Sequence, residues 1–192
     1  MADLGVKILG KEEVFRRRFF QFNDIEFQYT KFDGNPSAPT HHLVLDRGDS
    51  VGVLLHDLKS NEIILVEQFR IASVNNGPGR LLELPAGKID DGEDAVTAAK
   101  REAVEETGAE PTKLDLISSF YLSPGGCSER LSLFYCPFPD GLAVKSHAGL
   151  DHEGEDIRTH RIELSEALTM IETGEIIDAK TLIGLLWLKG KR

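Results

Sequence analysis

The segment from residue 87 to residue 109, GKIDDGEDAVTAAKREAVEETGA, constrains this chain more than any other part of its sequence. Residues 93–107 contain no proline or glycine and are rich in alanine and glutamate, which predicts a helix. Gly108 follows at the position of a C-terminal cap. Glu102 lies three and four residues before Glu105 and Glu106, so these carboxylates share one face of the helix.

The acidic face of this helix has two interpretations from its residues alone. In the first, it is a solvated surface, and the like charges destabilise the helix by only about a few tenths of a kcal/mol per pair. In the second, the carboxylates bind a hard cation, because Mg²⁺ prefers oxygen ligands from carboxylates, waters and substrate phosphates. Under either interpretation a narrow apolar stripe remains for packing: Ala95, Val96, Ala99 and Ala103.

Apolar runs on both sides of the helix predict strands that are mostly joined by short turns. The runs are SVGVLLHDL (50–58), NEIILVEQFR (61–70), LLELPAG (81–87, with its strand ending at Pro85), KLDLISSFYL (113–122), RLSLFYCPF (130–138) and IRTHRIEL (157–164). The stretches SEALTMIETG (165–174) and AKTLIGLLWLKG (179–190) predict two further helices, with Ser165 as the cap of the first. Interleaved elements with short connections favour an α/β sandwich with a mixed sheet over a doubly wound parallel sheet.

The first part of the chain precedes these long strands and predicts a small separate antiparallel sheet. Residues 14–32 alternate loosely between apolar and polar and are rich in phenylalanine. We therefore divide the chain into residues 1–47, N-terminal strands for dimerisation and base contact, and residues 48–192, the main domain. A two-fold interface covers such an apolar segment in both copies at once. Six phenylalanines fall within eighteen residues: Phe15, Phe19, Phe20, Phe22, Phe27 and Phe32.

Charge and composition narrow the possible partners. The 192 residues carry a formal net charge of −10, which disfavours binding to nucleic acid or anionic lipid. No apolar run approaches the roughly 20 residues needed to span a bilayer. The two cysteines form no disulfide framework or metal-like spacing, and no signal pattern opens the chain, so we expect a cytoplasmic protein.

The acidic helix is part of a longer pattern, G-x5-E-x7-R-E-U-x-E-E-x-G-U, in which U is an aliphatic residue. Its fixed positions are Gly87, Glu93, Arg101, Glu102, Glu105, Glu106 and Gly108, with Ala103 and Ala109 at the aliphatic ones. Seven fixed matches arise by chance with odds of about one in 10⁸ per starting point. The segment resembles the signature of the Nudix hydrolases. This resemblance implies an α/β/α sandwich with a mixed sheet, and a loop–helix–loop that binds divalent cations and hydrolyses a nucleoside diphosphate linked to another group.

The resemblance assigns roles position by position around the metal. Glu102 and Glu106 bind it with Glu105 close by, and the backbone carbonyl of Ala86 completes the cluster. Glu155 is a further metal ligand, and Glu153 is the general base that takes a proton from the attacking water. The implied cation is Mg²⁺, with Mn²⁺ as a substitute. Motif shape depends on Gly87, Gly108 and the pairing of Glu93 with Arg101.

Three further stretches resemble bacterial ADP-ribose pyrophosphatases: EQFRIA (67–72), SPGGCSER (123–130) and GL-x4-EDIR-x-H (149–160). On that resemblance Arg47 and Arg70 face the diphosphate, and Glu129 and the backbone from Ser123 to Gly125 contact the ribose. Phe19 and Phe20 stack on the base, in part from the partner subunit of a homodimer. The stretch ALTMIETGEIIDAKT (167–181) resembles GDP-mannose hydrolases of the same subgroup equally well.

These observations predict a Mg²⁺-dependent pyrophosphatase of nucleoside diphosphate sugars, with ADP-ribose first and GDP-mannose or another nucleotide sugar as the alternative. A catalytically silent nucleotide-sugar sensor is the alternative from another class, and the complete glutamate set argues against it. His42 and Leu43 depart from the family, which usually has Arg followed by Glu shortly before the DRG of residues 46–48. One fixed positive charge is thereby missing, which leaves the preferred base and sugar open.

Overall fold

Two sheets organise residues 5–139, 141–149 and 155–191, which are the residues that the computed structural model describes. The chain divides into two compact units. One comprises residues 1–49 and 121–130, and the other comprises residues 50–120 and 131–192. The structure thus adds residues 121–130 to the N-terminal segment, whereas the division at residue 47 stays a prediction.

The smaller unit contains the predicted N-terminal antiparallel sheet. Its strands are β1 (Lys7–Arg17), β2 (Phe20–Gln28) and β3 (Thr40–Asp46), in the spatial order β1-β2-β3. The first strand begins before residue 14, where the phenylalanine-rich alternation starts. Leu45 in β3 holds the segment 123–128 in the same unit, because its N–H donates to the Gly126 carbonyl over 2.8 Å and its carbonyl accepts from Ser128 N over 3.0 Å.

The larger unit is built on an eight-stranded sheet. Its strands are β4 (Ser50–Asp57), β5 (Glu62–Phe69), β6 (Arg80–Glu83), β7 (Ala86–Lys88), β8 (Asp115–Tyr121), β9 (Arg130–Phe138), β10 (His147–Ala148) and β11 (Ile157–Glu163). The main path runs β10-β11-β5-β4-β9-β8, with β6 paired to β5 and β7 paired to β4. Because β4 pairs parallel with β9 and antiparallel with β5, the predicted mixed sheet is confirmed.

Helices cover both faces of this sheet and complete the predicted α/β/α sandwich. They are α1 (Ala95–Thr107), α2 (Leu164–Thr173) and α3 (Ala179–Lys189). Alternate residues of β4 point to opposite faces, so Val53 packs in the core under α1 and Leu54 packs in the core under α2 and α3. In the described part of the chain, no helix is long and apolar enough to cross a membrane.

The ends of α1 explain why it forms where the sequence predicts it. Asp94 caps the start, because its Oδ1 accepts from Val96 N over 2.9 Å and from Thr97 N over 3.0 Å. Gly108 ends the helix in the left-handed conformation at φ 73°, and its N–H donates to the Val104 carbonyl.

The predicted Ser165 cap of α2 is wrong, since the helix begins at Leu164 and Glu163 holds the capping position.

Asp57, at the end of β4, is buried and receives four hydrogen bonds from residues that the structure describes. Arg161 Nη2 and Leu142 N donate to its Oδ2 over 2.6 and 3.0 Å, and Lys59 N and Ser60 N donate to its Oδ1 over 3.0 and 3.3 Å. Burial alone acts to raise the pKa of Asp57, but these hydrogen bonds outweigh it and lower the pKa to about 2.

We therefore expect Asp57 to stabilise the fold at neutral pH and to lose that effect in acid. A folded-state pKa below the unfolded one means that the stabilisation is present above about pH 4 and declines as pH falls towards 2. Asp57→Asn should lower the free energy of unfolding by about 1–2 kcal/mol at pH 7 and by roughly half as much at pH 3. Urea unfolding at both pH values measures this, with the more exposed Asp115→Asn as the control. An equal loss at both pH values would contradict the expectation.

Candidate active site

The acidic face of α1 lies against the backbone of β7. A Cβ added at Gly87 would come within 2.0 Å of the carboxylate carbon of Glu102, closer than any real contact. Gly87 is therefore needed for close approach, because only glycine leaves the space that the Glu102 carboxylate occupies. This contact explains physically why the first fixed position of the motif is a glycine.

Glu106 is the deepest carboxylate of the cluster, with 2% of its surface exposed. Its Oε2 accepts a hydrogen bond from the Ala86 N–H over 2.9 Å. Burial raises the pKa of Glu106 to about 8, and the charges of Glu102 and Glu155 act in the same direction. Glu155, which precedes β11, thus lies close enough to the α1 glutamates to interact with them.

Glu102 has a similar environment. Burial raises its pKa to about 7, Arg101 opposes the shift, and the negative charges of Glu105 and Glu155 add to it. Carboxylates that repel one another in a buried place favour a bound positive charge. The structure therefore brings the predicted metal residues Glu102, Glu105, Glu106 and Glu155 into one neighbourhood with Ala86.

Arg101 is a counter-charge that contacts Glu102 and Glu105 of this cluster directly. It donates from Nε and Nη2 to the two Glu93 oxygens over 3.1 and 2.9 Å, so the predicted pairing within the motif is present. Its Nη1 also donates to Glu102 over 2.7 Å and to Glu105 over 3.1 Å, and its Nη2 donates to the Lys88 carbonyl over 3.0 Å. These contacts raise the pKa of Arg101 and fix the loop before α1 against the helix.

The donor set fits a hard divalent cation in its chemistry. The available ligands are carboxylate oxygens and a backbone carbonyl, with no thiolate or imidazole among the predicted members. In residues 5–139, 141–149 and 155–191, however, no three acidic, histidine or cysteine side chains converge closely enough to form a coordination cage. Arg101 accounts for part of this, since it holds Glu102 and Glu105 by hydrogen bonds.

Arg70 lies directly after β5 and adds a positive charge beside the cluster, where it attracts Glu106. It forms a two-point ion pair with the buried Glu83, from Nε to Oε1 over 2.8 Å and from Nη2 to Oε2 over 2.9 Å. Lys180 also reaches Glu83 Oε2, over 2.5 Å. Glu83 and Lys180 were not among the predicted site residues, and the available signal was a glutamate inside the apolar run LLELPAG, which needs buried partners.

Several predicted substrate-binding residues, for base, ribose and diphosphate, meet in the smaller unit. The rings of Phe19 and Phe20 have centroids 4.4 Å apart, and the Arg47 guanidinium lies 6.0 Å from the Phe19 centroid. Arg47 Nη1 is 3.4 Å from Glu129 Oε2. The unit thus gathers an aromatic pair that can stack on a base, a cation that can bind a phosphate and a carboxylate that can accept from a hydroxyl.

The loop 123–130 forms a tight turn in the same unit. The Ser123 carbonyl accepts from Gly126 N over 3.2 Å and from Cys127 N over 2.9 Å. Gly125 has open space around the position of a Cβ. The predicted general base Glu153 lies outside the described residues.

Comparison with known proteins agrees with this geometry. The NUDIX domain family model matches residues 46–183. GDP-mannose pyrophosphatases of Escherichia coli O1:K1 / APEC and of Shigella flexneri serotype 5b (strain 8401) are each 35% identical over 183 residues, which covers 94% of this chain and 94% of theirs. A crystal structure of an ADP compounds hydrolase has the same fold, with a TM-score of 0.72, 20% identity and coverage of 99% and 96% of the two chains. With its complete motif and a family match over most of its length, the chain belongs to the Nudix hydrolase family.

Proposed function

We propose that the protein hydrolyses the diphosphate of nucleoside diphosphate sugars with Mg²⁺. The observation that carries this proposal is the glutamate cluster of α1, in which Glu106 is buried and Glu102 lies against Gly87 within a complete Nudix motif. The acidic chain needs a local positive charge to hold a diphosphate, since its formal net charge is −10.

Glu102, Glu106, Glu105, Glu155 and the Ala86 carbonyl are the proposed metal ligands. An oxygen-only set of this kind suits Mg²⁺, with Mn²⁺ as a substitute. When bound, the cation neutralises charge on the diphosphate and makes the phosphorus easier for water to attack.

The remaining steps belong to the protein's own side chains. Glu153 is the proposed general base, which removes the proton from the attacking water. Arg70 and Arg47 bind the diphosphate oxygens, because a guanidinium forms two-point contacts with phosphate. Phe19 and Phe20 stack on the base, while Glu129 and the backbone of residues 123–125 contact the ribose.

Two substrates are candidates within this class. ADP-ribose is favoured by the stretches EQFRIA, SPGGCSER and GL-x4-EDIR-x-H, and its hydrolysis gives AMP and ribose 5-phosphate. GDP-mannose is favoured by a separate observation, the 35% identity over 94% of the chain to GDP-mannose pyrophosphatases. Hydrolysis of either compound breaks the same kind of P–O–P bond, so the two candidates differ only in the groups that recognise base and sugar.

A panel of nucleotide sugars with Mg²⁺ tests the class and ranks the candidates. We expect cleavage of at least one of the two into a nucleoside monophosphate and a sugar phosphate, with turnover lost on chelation by EDTA and restored by added Mg²⁺. Product separation by ion-exchange chromatography gives kcat/KM for each compound. Intact ADP-ribose beside cleaved GDP-mannose would reverse the ranking from the motifs. Tight binding without turnover under any divalent cation would instead support a sensor.

We also propose a homodimer formed through residues 1–47. Several large apolar side chains of this segment are exposed in the single chain, including Phe15 at 53%, Phe32 at 107% and Leu43 at 62%. Exposure on this scale is typical of a surface that is covered by another molecule. Light scattering at micromolar concentration should give twice the 21.2 kDa mass of the chain, and a monomer mass would contradict the proposal.

A further inference from the structure

Glu83 is a charged side chain in a buried position at the end of β6. Only 2% of the residue surface is exposed, yet both carboxylate oxygens have charged partners. Arg70 contacts both oxygens and Lys180 contacts Oε2. Burial alone acts to raise the pKa of Glu83, but its hydrogen bonds with Arg70 and Lys180 and their charges lower it below its ordinary value.

Lys180 connects this carboxylate to the first turn of α3. Its Nζ lies 3.1 Å from Asp178 Oδ1, and Asp178 caps the helix by accepting from Thr181 N over 3.0 Å. Thr181 Oγ1 in turn accepts from Leu84 N over 2.8 Å. The neighbouring residues Glu83 and Leu84 are therefore both fixed by α3, which leaves the Glu83 carboxylate little freedom to move.

The contact with Glu83 determines which side of Arg70 is available. Glu83 occupies the edge of the guanidinium formed by Nε and Nη2. The Nη1 side points away from Glu83, and the Arg70 side chain is 40% exposed. An arginine held on one edge in this way presents Nη1 and the second N–H of Nη2 in a fixed plane, which reduces the entropy lost when it binds an anion.

We infer that Glu83 is a positioning residue that orients Arg70 towards the diphosphate of the substrate, and that Lys180 anchors Glu83 to α3 for this purpose. The inference rests on the proposed function for the identity of the anion. The arrangement has two cations on two carboxylates, Arg70 and Lys180 with Glu83 and Asp178, so the anchor itself is electrically neutral. The strength with which Arg70 attracts a diphosphate therefore depends more on the orientation of its guanidinium than on its charge alone.

A double-mutant cycle tests whether Glu83 acts through Arg70. The probe is methylenediphosphonate, a diphosphate analogue without a cleavable P–O–P bond, titrated with Mg²⁺ by calorimetry. Glu83→Gln should raise its Kd by about tenfold in the otherwise unchanged protein. In an Arg70→Ala background the same change should alter Kd by less than about twofold, because the residue that Glu83 positions is already absent. With the preferred nucleotide sugar, KM should rise more than kcat falls.

Glu62→Gln is the matched control. Glu62 lies at the opposite end of β5, where its Oε2 accepts from Nε and Nη2 of Arg161 over 3.0 and 2.8 Å. The substitution therefore removes a similar ion pair and leaves Arg70 unchanged. The Kd of Glu62→Gln for methylenediphosphonate should stay within about twofold of the Kd of the unchanged protein. Should Glu83→Gln fail to fold, Lys180→Gln in the same two backgrounds gives the test, since it removes the anchor of Glu83 and leaves Arg70 unchanged.

Losses from Glu83→Gln that are equal in both backgrounds would overturn the inference, as would a wild-type protein that does not bind the analogue. A protein that cleaves no nucleotide sugar but shows the expected cycle with the analogue would overturn the proposed function alone.

Discussion

Glu106→Gln is expected to lower kcat on the preferred nucleotide sugar by about 10²-fold or more while the fold remains intact. The amide keeps the shape of the side chain and can still accept from Ala86 N, but it removes a negative charge from the proposed cation site. Because Glu106 is buried beside other carboxylates, the neutral side chain should also leave the melting temperature without metal unchanged or higher.

The measurement combines kcat at several Mg²⁺ concentrations with thermal unfolding in EDTA. Glu110→Gln is a suitable control, since Glu110 is an exposed glutamate just beyond the end of the same helix. Near-normal kcat for Glu106→Gln with a normal Mg²⁺ requirement would remove this residue from the site. A lower melting temperature in EDTA would show that the carboxylate stabilises the fold instead.

Gly87→Ala is expected to produce a loss of activity out of proportion to its effect on stability. The added methyl group would lie 2.0–2.3 Å from the carboxylate atoms of Glu102, so the carboxylate must move. That movement costs the fold little, because the displaced atoms are the far end of a flexible side chain. Displacement of a proposed metal ligand by about 1 Å or more should lower kcat/KM by about 10²-fold.

Steady-state kinetics and thermal unfolding of the same preparation separate the two effects. Gly190→Ala provides the comparison, since a Cβ there meets only ordinary contacts at 3.6 Å, and it should preserve both activity and melting temperature. If Gly87→Ala retains wild-type kcat/KM, the close approach of Glu102 to the backbone has no role in the reaction.

The sequence predicted the parts of the fold that local pattern controls. The runs that became β4 and β5 are continuous and apolar, and α1 has a cap residue at each end, so their positions followed from period and composition. The strand β7 was missed because it has three residues and includes Gly87, which is too short for any periodicity. Its existence depends on pairing with β4, a contact that is remote in sequence.

In the candidate site, too, the local features were predicted from the sequence and the contacts between remote positions were not. The spacing of Glu102, Glu105 and Glu106 on one helix is visible in the sequence, and the structure places them on one face near Ala86. The contact between Glu83 and Lys180 joins positions 97 residues apart, and Lys180 looks in the sequence like a solvated residue at the start of an apolar helix. In the structure Arg101 contacts its immediate neighbour Glu102 as well as Glu93, and the motif spacing predicted only the contact with Glu93.

The height of α1 above the sheet has a consequence for protein engineering. The helix rests on the sheet through small side chains, Ala98, Ala99 and Ala103, which are fully buried against residues such as Val51 and Val53. Larger residues at these positions are a common way to fill a core, but here they would lift the helix that carries Glu102 and Glu106 away from Ala86 and Gly87. A library of substitutions at these three alanines would therefore vary the distance between the helix carboxylates and the strand backbone. A screen for thermostability alone would select variants without regard to that distance.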